Sequence, residues 1–194
     1  MTTRPRIVWT LLVAALVASL AVPAGAFDIT PAVQAELDRQ KAAVAGWAAD
    51  PVVVGAVREQ NAKGPIEGMD NAKWKTVRRS DPVVQAMVKC AAGQLLKKRI
   101  EASGGALDKA FISAAQGEKV AFAEKTISYL HRGQDKFDVP MSTGKPWQMA
   151  KPWFDESLQG YALQVAAPVI DGGKPIGVIV ASVPLTHLEK LVKK

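Results

Sequence analysis

The sequence predicts an α+β fold, with helices in the first half of the chain and mostly antiparallel strands in the second. Two kinds of local signal support this prediction. Helix-start signals, in which Thr or Asp precedes Pro, occur at Thr30-Pro31, Asp50-Pro51 and Asp81-Pro82. Hairpin patterns, with strand-like runs joined by a glycine-containing turn, occupy residues 111–124 and 162–185. We therefore expect a central antiparallel sheet with helices packed against it.

The helix-start signals share one physical logic. The Thr or Asp side chain accepts a hydrogen bond at the N-cap, and Pro suits the first helical position. The third of these helices is predicted to run unbroken from Pro82 to about Ala102. Cys90, the only cysteine, lies on its apolar face, which favours a buried, inert thiol over a catalytic one. The first helix is predicted to bury four apolar residues at helical spacing, Val33, Leu37, Val44 and Trp47.

The final hairpin is predicted to form the centre of the sheet. Residues 176–183 are a nearly continuous apolar run rich in Val and Ile, typical of a strand that is covered on both faces. Asp171-Gly172 supplies the positive φ angles that a tight turn needs, and Pro175 fixes the exit from the turn. We expect Val178 and Val180 to be buried in this strand.

The other hairpin is predicted from strands at residues 111–115 and 120–124, joined by the turn Gln116-Gly117-Glu118-Lys119. Residues 126–157 follow, and their prolines and glycines, among them Pro140, are predicted to exclude long regular elements. Long loops inside a compact domain are commonly functional. The sequence therefore directs the search for a site to this segment.

Residues 1–26 have the pattern of a cleavable secretory signal peptide. Arg4 and Arg6 form a basic start, residues 7–22 are apolar, and small residues follow at the predicted cleavage site. The alternative is an uncleaved membrane anchor, although the apolar run is shorter than the roughly 20 residues that span a bilayer. Export would place the mature protein, residues 27–194, in the periplasm or outside the cell.

The mature chain is expected to form a single domain, mostly helical over residues 27–103 and mostly sheet over residues 104–194. Its composition argues against several classes of function. The net charge is +7, but basic residues are spread among acidic ones and an exported protein rarely meets nucleic acid. No nucleic-acid partner is therefore expected.

Signatures of enzymes and of metal or cofactor sites are missing from the sequence. The two histidines, His131 and His187, do not have zinc-ligand spacing, and the glycines follow no phosphate-loop pattern. Ser128, His131 and Asp135 are close in sequence, but no nucleophile motif accompanies them. We therefore expect no catalytic residue, no metal and no cofactor.

Aromatic and charged side chains gather in residues 126–157 and form the best candidate for a ligand site. Aromatic walls with a few placed polar groups suit a small organic ligand, and Arg or Lys suits its acidic groups. The alternative is that the aromatics fill the open face of the sheet and the cations are surface residues. Asp155 and Glu156 are likewise either an acid–base pair or solvated carboxylates. The predicted ligand-binding residues are Tyr129, Arg132, Asp135, Lys136, Phe137, Trp147, Phe154 and Asp155.

Several short motifs together resemble the Cache superfamily, specifically its exported PDC-type sensor domains, over nearly all of residues 27–185. The resembling motifs are Trp47 to Pro51, Gln60-Asn61, Asp70, Trp74, Lys125 to Tyr129, Gly133 to Phe137, Phe154 to Ser157, Gln164 to Val169 and Lys174 to Gly177. The resemblance implies a PAS-like central antiparallel β-sheet, a long N-terminal helix with additional helices packed on one face, and a small-molecule pocket on the opposite face.

The resemblance also implies an extracytoplasmic small-molecule sensor that signals through a separate partner, such as a membrane receptor or kinase. Amino-acid-binding members carry an aspartate late in the last strand, where this chain has Ser182. That difference favours a small anionic metabolite, such as a carboxylate, held by Arg132 and Lys136 and oriented by Asp155. A homodimer through the N-terminal helix is a further hypothesis. The alternative function is a structural or protein-interaction module with a filled, non-binding pocket.

Overall fold

The computed structural model describes residues 27–193, so the predicted signal peptide at residues 1–26 lies outside the described residues. In this range the helices are α1 (Pro31–Ala48), α2 (Pro51–Lys63), α3 (Asn71–Thr76), α4 (Pro82–Lys89), α5 (Ala91–Ala102), α6 (Asp135–Thr143) and α7 (Leu185–Val192). The strands are β1 (Lys109–Ala114), β2 (Lys119–Phe122), β3 (Trp147–Gln148), β4 (Trp153–Asp155), β5 (Gly160–Asp171) and β6 (Lys174–Pro184). The α+β class is confirmed. Within residues 27–193, no helix combines the length and the apolar character needed to cross a bilayer.

The strands form one antiparallel sheet in the order β2-β1-β6-β5-β3, and β4 also pairs with β5. The β5–β6 hairpin lies at its centre, as predicted, and its register ends with Asp171 opposite Lys174. Gly172 and Gly173 have φ angles of 55° and 76°. The turn therefore uses the left-handed region that glycine adopts without strain.

One side of the sheet, called the first face below, packs against α1, α2, α5 and α7 through an apolar core. Alternate residues of the central strands, such as Val165 and Ile179, point into it. Gly177 lets α2 and β1 approach β6, because a Cβ there would lie 2.7 Å from Val57 Cγ1 and 2.4 Å from the Ser113 carbonyl oxygen. The residues that α1 buries in this core include the four predicted ones, Val33, Leu37, Val44 and Trp47.

The other side of the sheet, called the second face, carries a separate core covered by α3, α4 and α6. Val178 and Val180 lie in this core at 0% and 1% exposure, which confirms their predicted burial. The sequence predicts the additional helices on one face only, but the structure distributes them over both. The reason is that the second face is rich in aromatic residues and Trp74 and Met87 anchor α3 and α4 onto it. The buried aromatic residues of this core are Trp74, Phe111, Phe122, Tyr129 and Phe137.

The predicted unbroken helix over residues 82–102 is wrong, because the chain turns at Cys90 and forms α4 and α5 instead. Cys90 has an extended backbone with ψ at 162°, and its Sγ accepts a hydrogen bond from the Gly93 amide at 3.4 Å. A Cβ at Gly93 would lie 2.5 Å from the Met87 and Val88 carbonyl oxygens. Glycine therefore permits the close approach of the two helices, and Cys90 caps α5 rather than lying on a continuous helical face.

The segment at residues 126–157 contains a nine-residue helix, α6, although its prolines and glycines were expected to exclude long regular elements. Pro140 lies inside α6 and is buried against the sheet together with Phe137. The missing N–H of a proline normally disfavours a helix interior. Here the packing of one helical face on the second face of the sheet outweighs that local cost, and Gly144 ends the helix with a φ of 65°.

Candidate functional site

A cavity of about 490 Å³ lies on the second face, between the N-terminus of α6 and strands β3 and β5. Gln164 forms its floor on β5, two residues before the buried core residue Ala166, and α6 forms one wall. Its size is within the range of pockets that hold small organic ligands. Six of its lining residues are Gln134, Asp135, Lys136, Trp147, Gln148 and Gln164.

The α6 end of the cavity combines a lysine, Lys136, with an exposed carboxylate, Asp135. Gln134 is the N-cap of α6 but makes no side-chain capping bond, and the positive end of the helix dipole lies here. Lys136 is half-buried, with Nζ 5.9 Å from the centre of the Phe111 ring. Burial lowers the pKa of Lys136. Asp135 is the exposed carboxylate at the same wall.

Two buried side chains behind Lys136, Lys119 and His131, both contact the Phe111 ring. The Nζ of Lys119 lies 3.4 Å from the centre of that ring and 3.1 Å from Nε2 of His131. The His131 ring stacks on Phe111 with centroids 4.4 Å apart. Lys119 is 0% exposed and His131 is 2% exposed.

Burial lowers the pKa of both Lys119 and His131. The pKa of Lys119 is well below its usual value because of burial, and the charges of Lys136 and Lys125 lower it further. Burial likewise lowers the pKa of His131 to about 2, with further contributions from Lys119 and Lys136. His131 is therefore uncharged near neutral pH, and burial disfavours the charged form of Lys119.

Three of the predicted ligand-binding residues, Asp135, Lys136 and Trp147, line the cavity. Phe137 and Tyr129 are instead buried in the second-face core. The Tyr129 hydroxyl accepts a hydrogen bond from the Ile66 amide at 2.9 Å, and burial raises the pKa of the phenol. Tyr129 and Phe137 therefore belong to the core and do not line the cavity.

The other three predicted residues, Arg132, Phe154 and Asp155, do not line this cavity. Arg132 is exposed and donates to the Ala115 carbonyl oxygen at 3.2 Å, whereas Asp155 lies 3.1 Å from Lys109 Nζ. Lys109 and Ala115 are six residues apart along β1 and its end, which at roughly 3.3 Å per residue is about 20 Å. The structure therefore does not bring Arg132 and Asp155 into one site. Phe154 is 51% exposed and packs edge-on against Tyr161.

Lys119, His131 and Gln164 were not among the predicted site residues. The sequence places Lys119 in a turn, but the structure makes it the first residue of β2 and buries it. A register shift between Ile112 and Ser113 puts Ser113 opposite Lys119. Because of this irregularity, simple alternation along β2 could not identify the face on which Lys119 lies.

No protein-family profile matches the chain, and no curated protein matches it. The sensor domain of the V. cholerae histidine kinase DctB superposes with a TM-score of 0.55 at 15% identity, covering 84% of this chain and 54% of that one. The E. coli DcuS sensor domain superposes with a TM-score of 0.52 at 14% identity, covering 83% of this chain and 98% of that one.

The chain therefore has the same α+β fold as these two sensor domains. It spans about half the length of the DctB domain and nearly all of the DcuS domain. This likeness is consistent with the resemblance in the sequence motifs. In this fold the cavity on the second face lies opposite the long N-terminal helix, since α1 packs on the first face.

Ser182 lies on β6 with 4% exposure, between Lys109 on β1 and Gln164 on β5. Asp108 is a neighbour of Ser182, since the Asp108 amide donates to the Ser182 carbonyl oxygen at 3.2 Å. Lys109 Nζ is 3.6 Å from Asp108 and 3.1 Å from Asp155. Burial raises the pKa of Asp108. Asp108 and Asp155 therefore both pair with Lys109, and neither residue lines the cavity.

Within residues 27–193, no three His, Cys, Asp or Glu side chains gather in an arrangement that could hold a metal ion. The sequence grouping of Ser128, His131 and Asp135 does not form a nucleophilic triad. His131 Nε2 is engaged by Lys119, and its Nδ1 has no hydrogen-bond partner.

Proposed function

We propose that this chain is an extracytoplasmic sensor domain that binds a small anionic metabolite in the second-face cavity. The observation that carries the proposal is a ligand-sized cavity whose lining includes two lysines, Lys136 and Lys151, and one carboxylate, Asp135. The fold that it shares with sensor domains supports a binding rather than a catalytic role. Signalling would pass through a separate membrane receptor or kinase.

An anionic ligand is favoured by the distribution of charge around the cavity. Lys136 and the N-terminus of α6 attract a negative group. The nearby acids, Asp108 and Asp155, already face Lys109. A ligand ammonium group would therefore find only the exposed Asp135 at this wall.

We propose that Lys136 is the principal ligand-binding residue, with Asp135 and Gln164 as polar contacts and Trp147 as the apolar wall. Phe137 and Tyr129 hold this arrangement in place from the core. The periplasmic or extracellular location follows from the predicted export signal at residues 1–26, and dimerisation through α1 stays a prediction.

A thermal-shift screen tests the proposal. Purified protein is heated in the presence of small carboxylates, inorganic phosphate, amines and purines, and at least one anion is expected to raise Tm. The Lys136→Met variant should lose that shift. The matched control, Lys145→Met, replaces an exposed lysine just after α6 and should keep it.

Two outcomes would contradict the proposal. Stabilisation by amines alone would assign the cavity to cations, with Asp135 as the anchor. Absence of any ligand effect would favour the structural or protein-interaction module, for which the aromatic filling of the second face is the supporting observation.

A further inference from the structure

Gln164, on the central strand β5, is a polar residue in an apolar stretch of the second face. Leu163 and Val165 pack in the first-face core and Ala166 packs in the second-face core, so Gln164 lies on the second face. The residues two positions away on either side, Ala162 and Ala166, are fully buried alanines. Gln164 is therefore a long polar side chain between two small apolar ones, and it lines the cavity.

The amide of Gln164 differs from those of the other two glutamines that line the cavity. Gln148 exchanges hydrogen bonds with Gln34 on α1, with donor–acceptor distances of 3.3 Å. Gln134 Nε2 donates to the Leu130 carbonyl oxygen at 3.5 Å. Among the described residues, no protein group is hydrogen-bonded to the Gln164 amide. Because a half-buried amide is unfavourable without a partner, it is suited to bond to a molecule in the cavity.

Trp147 places a further hydrogen-bond donor beside Gln164. It lies opposite Ala166 in the β3–β5 pairing, so Gln164 is its diagonal neighbour on the same face of the sheet. Diagonal neighbours in an antiparallel pair are roughly 7–8 Å apart, within reach of aromatic and long side chains. In the part of the chain that the structure describes, the Trp147 indole N–H makes no hydrogen bond, whereas that of Trp74 donates to the Thr126 carbonyl oxygen at 2.8 Å. One ligand group can therefore contact Trp147 and Gln164 together.

The indole N–H and the amide together suit an uncharged oxygen. The indole N–H of Trp147 can only donate a hydrogen bond, whereas the Gln164 amide can both donate and accept. A hydroxyl group satisfies both, because its oxygen accepts from Trp147 and its hydrogen is donated to the Gln164 amide oxygen. A keto oxygen accepts from both side chains. Neither side chain carries a charge, so neither compensates for a second acidic group.

Building on the proposed function, we propose that Gln164 and Trp147 form a polar subsite that recognises a hydroxyl or keto oxygen of the ligand, while the acidic group of the ligand binds at Lys136. The ligand class is then a small hydroxy or keto acid, and not an unsubstituted acid of the same length. A ligand without this oxygen would leave the amide and the indole N–H unpaired, and it would bind more weakly for that reason.

Matched pairs of acids that differ by one hydroxyl group test the subsite. The pairs are glycolate with acetate, lactate with propionate, and 3-hydroxybutyrate with butyrate, each titrated into the purified full chain by calorimetry at one neutral pH. Both members of a pair carry the same carboxylate charge, so the ratio of their affinities isolates the added hydroxyl. We expect the hydroxy acid to bind about tenfold more tightly in at least one pair, from two hydrogen bonds of ordinary strength.

Two substitutions remove the hydrogen-bonding groups and keep the apolar surface. Gln164→Leu removes the amide, and Trp147→Phe removes the indole N–H but keeps an aromatic wall. Each should reduce the preference for the hydroxy acid by about threefold, and the double variant should abolish it. The affinity ratio would not change through a purely structural role, because both acids of a pair meet the same protein. Should one variant fail to fold, the other variant and the wild-type ratio still decide.

Gln148→Leu is the matched control. It also removes a glutamine that lines the cavity, but one whose amide is bonded to Gln34. This control should leave the affinity ratio unchanged. Lys136→Met tests the other end of the ligand, and it should weaken both members of a pair equally.

The outcomes separate this inference from the proposed function. Equal or weaker binding of the hydroxy acid in every pair would overturn the polar subsite and leave the anion-binding cavity in place. A preference that persists in both Gln164→Leu and Trp147→Phe would also overturn the subsite, because the hydroxyl would then be recognised elsewhere. Absence of binding by all six acids would overturn the ligand class, and the wider thermal-shift screen with inorganic phosphate would then decide the proposed function by itself.

Discussion

The two faces of the sheet are built from the same strands but differ in chemistry. The first face is covered by α1, α2, α5 and α7 through aliphatic side chains. The second face combines large aromatic residues with buried Lys119, His131 and Ser113 and an open cavity. Because buried polar groups cost stability unless they are fully hydrogen-bonded, the second face is less stable than it could be. We infer that the first face serves folding and the second face serves ligand binding.

The largest expected effect is on the first face. Ile179→Asp would place an unpaired carboxylate in the apolar core between β6 and the helices, where Ile179 is fully buried. We expect loss of cooperative unfolding, measured by circular dichroism during heating. The control, Val52→Asp, changes a residue that is 41% exposed and should leave the transition in place. A cooperative Ile179→Asp variant would contradict the assignment of this face.

A milder truncation measures how well the first face is packed. Leu37→Ala removes a fully buried side chain from α1 and should lower the free energy of unfolding by about 2–5 kcal/mol. Leu191→Ala, on the exposed side of α7, is the matched control. Denaturant titration gives both values, and equal small losses would show that α1 is not tightly packed.

On the second face, a substitution that removes a buried polar group should raise the free energy of unfolding. Lys119→Met keeps the length of the side chain but removes a buried amine that has no acidic partner. We expect the free energy of unfolding at pH 7 to rise by roughly 1 kcal/mol, because the gain from removing an incompletely bonded buried amine, about 1–3 kcal/mol, is partly offset by the loss of the hydrogen-bond partner of His131 Nε2. Lys145→Met should be neutral. A destabilised Lys119→Met variant would mean that the amine contributes to folding.

The pH dependence of the free energy of unfolding tests the difference between the two faces in a second way. The folded-state pKa of His131 is lowered from 6.5 to about 2, so the unfolded chain binds the proton more readily. Its contribution is fully present above pH 6.5 and decreases as pH falls toward 2, by at most about 1.4 kcal/mol per pH unit. His131→Phe should flatten the stability profile between pH 4 and 6.5, whereas His187→Gln should not. Parallel profiles for wild type and His131→Phe would contradict the burial of a neutral imidazole.

The sequence predicted features that depend on local chemistry. Asp or Thr followed by Pro identified helix starts, and Asp171-Gly172 identified the central hairpin, because these signals act within a few residues. The predicted class, the central strand and the buried face of α1 are confirmed for this reason. The PDC/Cache resemblance rested on motifs distributed along the chain, and it agrees with the fold.

Features that depend on contacts distant in sequence were missed. The chain can turn at Cys90 because Gly93 allows the start of α5 to approach the end of α4 closely. Helix α6 forms despite Pro140 because it packs on the sheet. The burial of Lys119 depends on a register shift between β1 and β2. Composition identified a segment with aromatic and charged residues, but only the three-dimensional arrangement separates its ligand-facing residues from its core and surface residues.

The smallest expected effect concerns Arg132, one of the two cations predicted from the sequence to hold the ligand. Arg132 is exposed and donates to the Ala115 carbonyl oxygen at the β1–β2 turn, outside the set of cavity-lining residues. We therefore expect Arg132→Ala to leave both Tm and anion affinity nearly unchanged, since an exposed cation contributes little to stability. Lys136→Ala should instead weaken binding by about 2–5 kcal/mol, the usual loss when a buried charge loses its partner. Calorimetry on both variants with the same anion decides between them, because an Arg132→Ala loss as large as that of Lys136→Ala would place the ligand at the turn and not in the cavity.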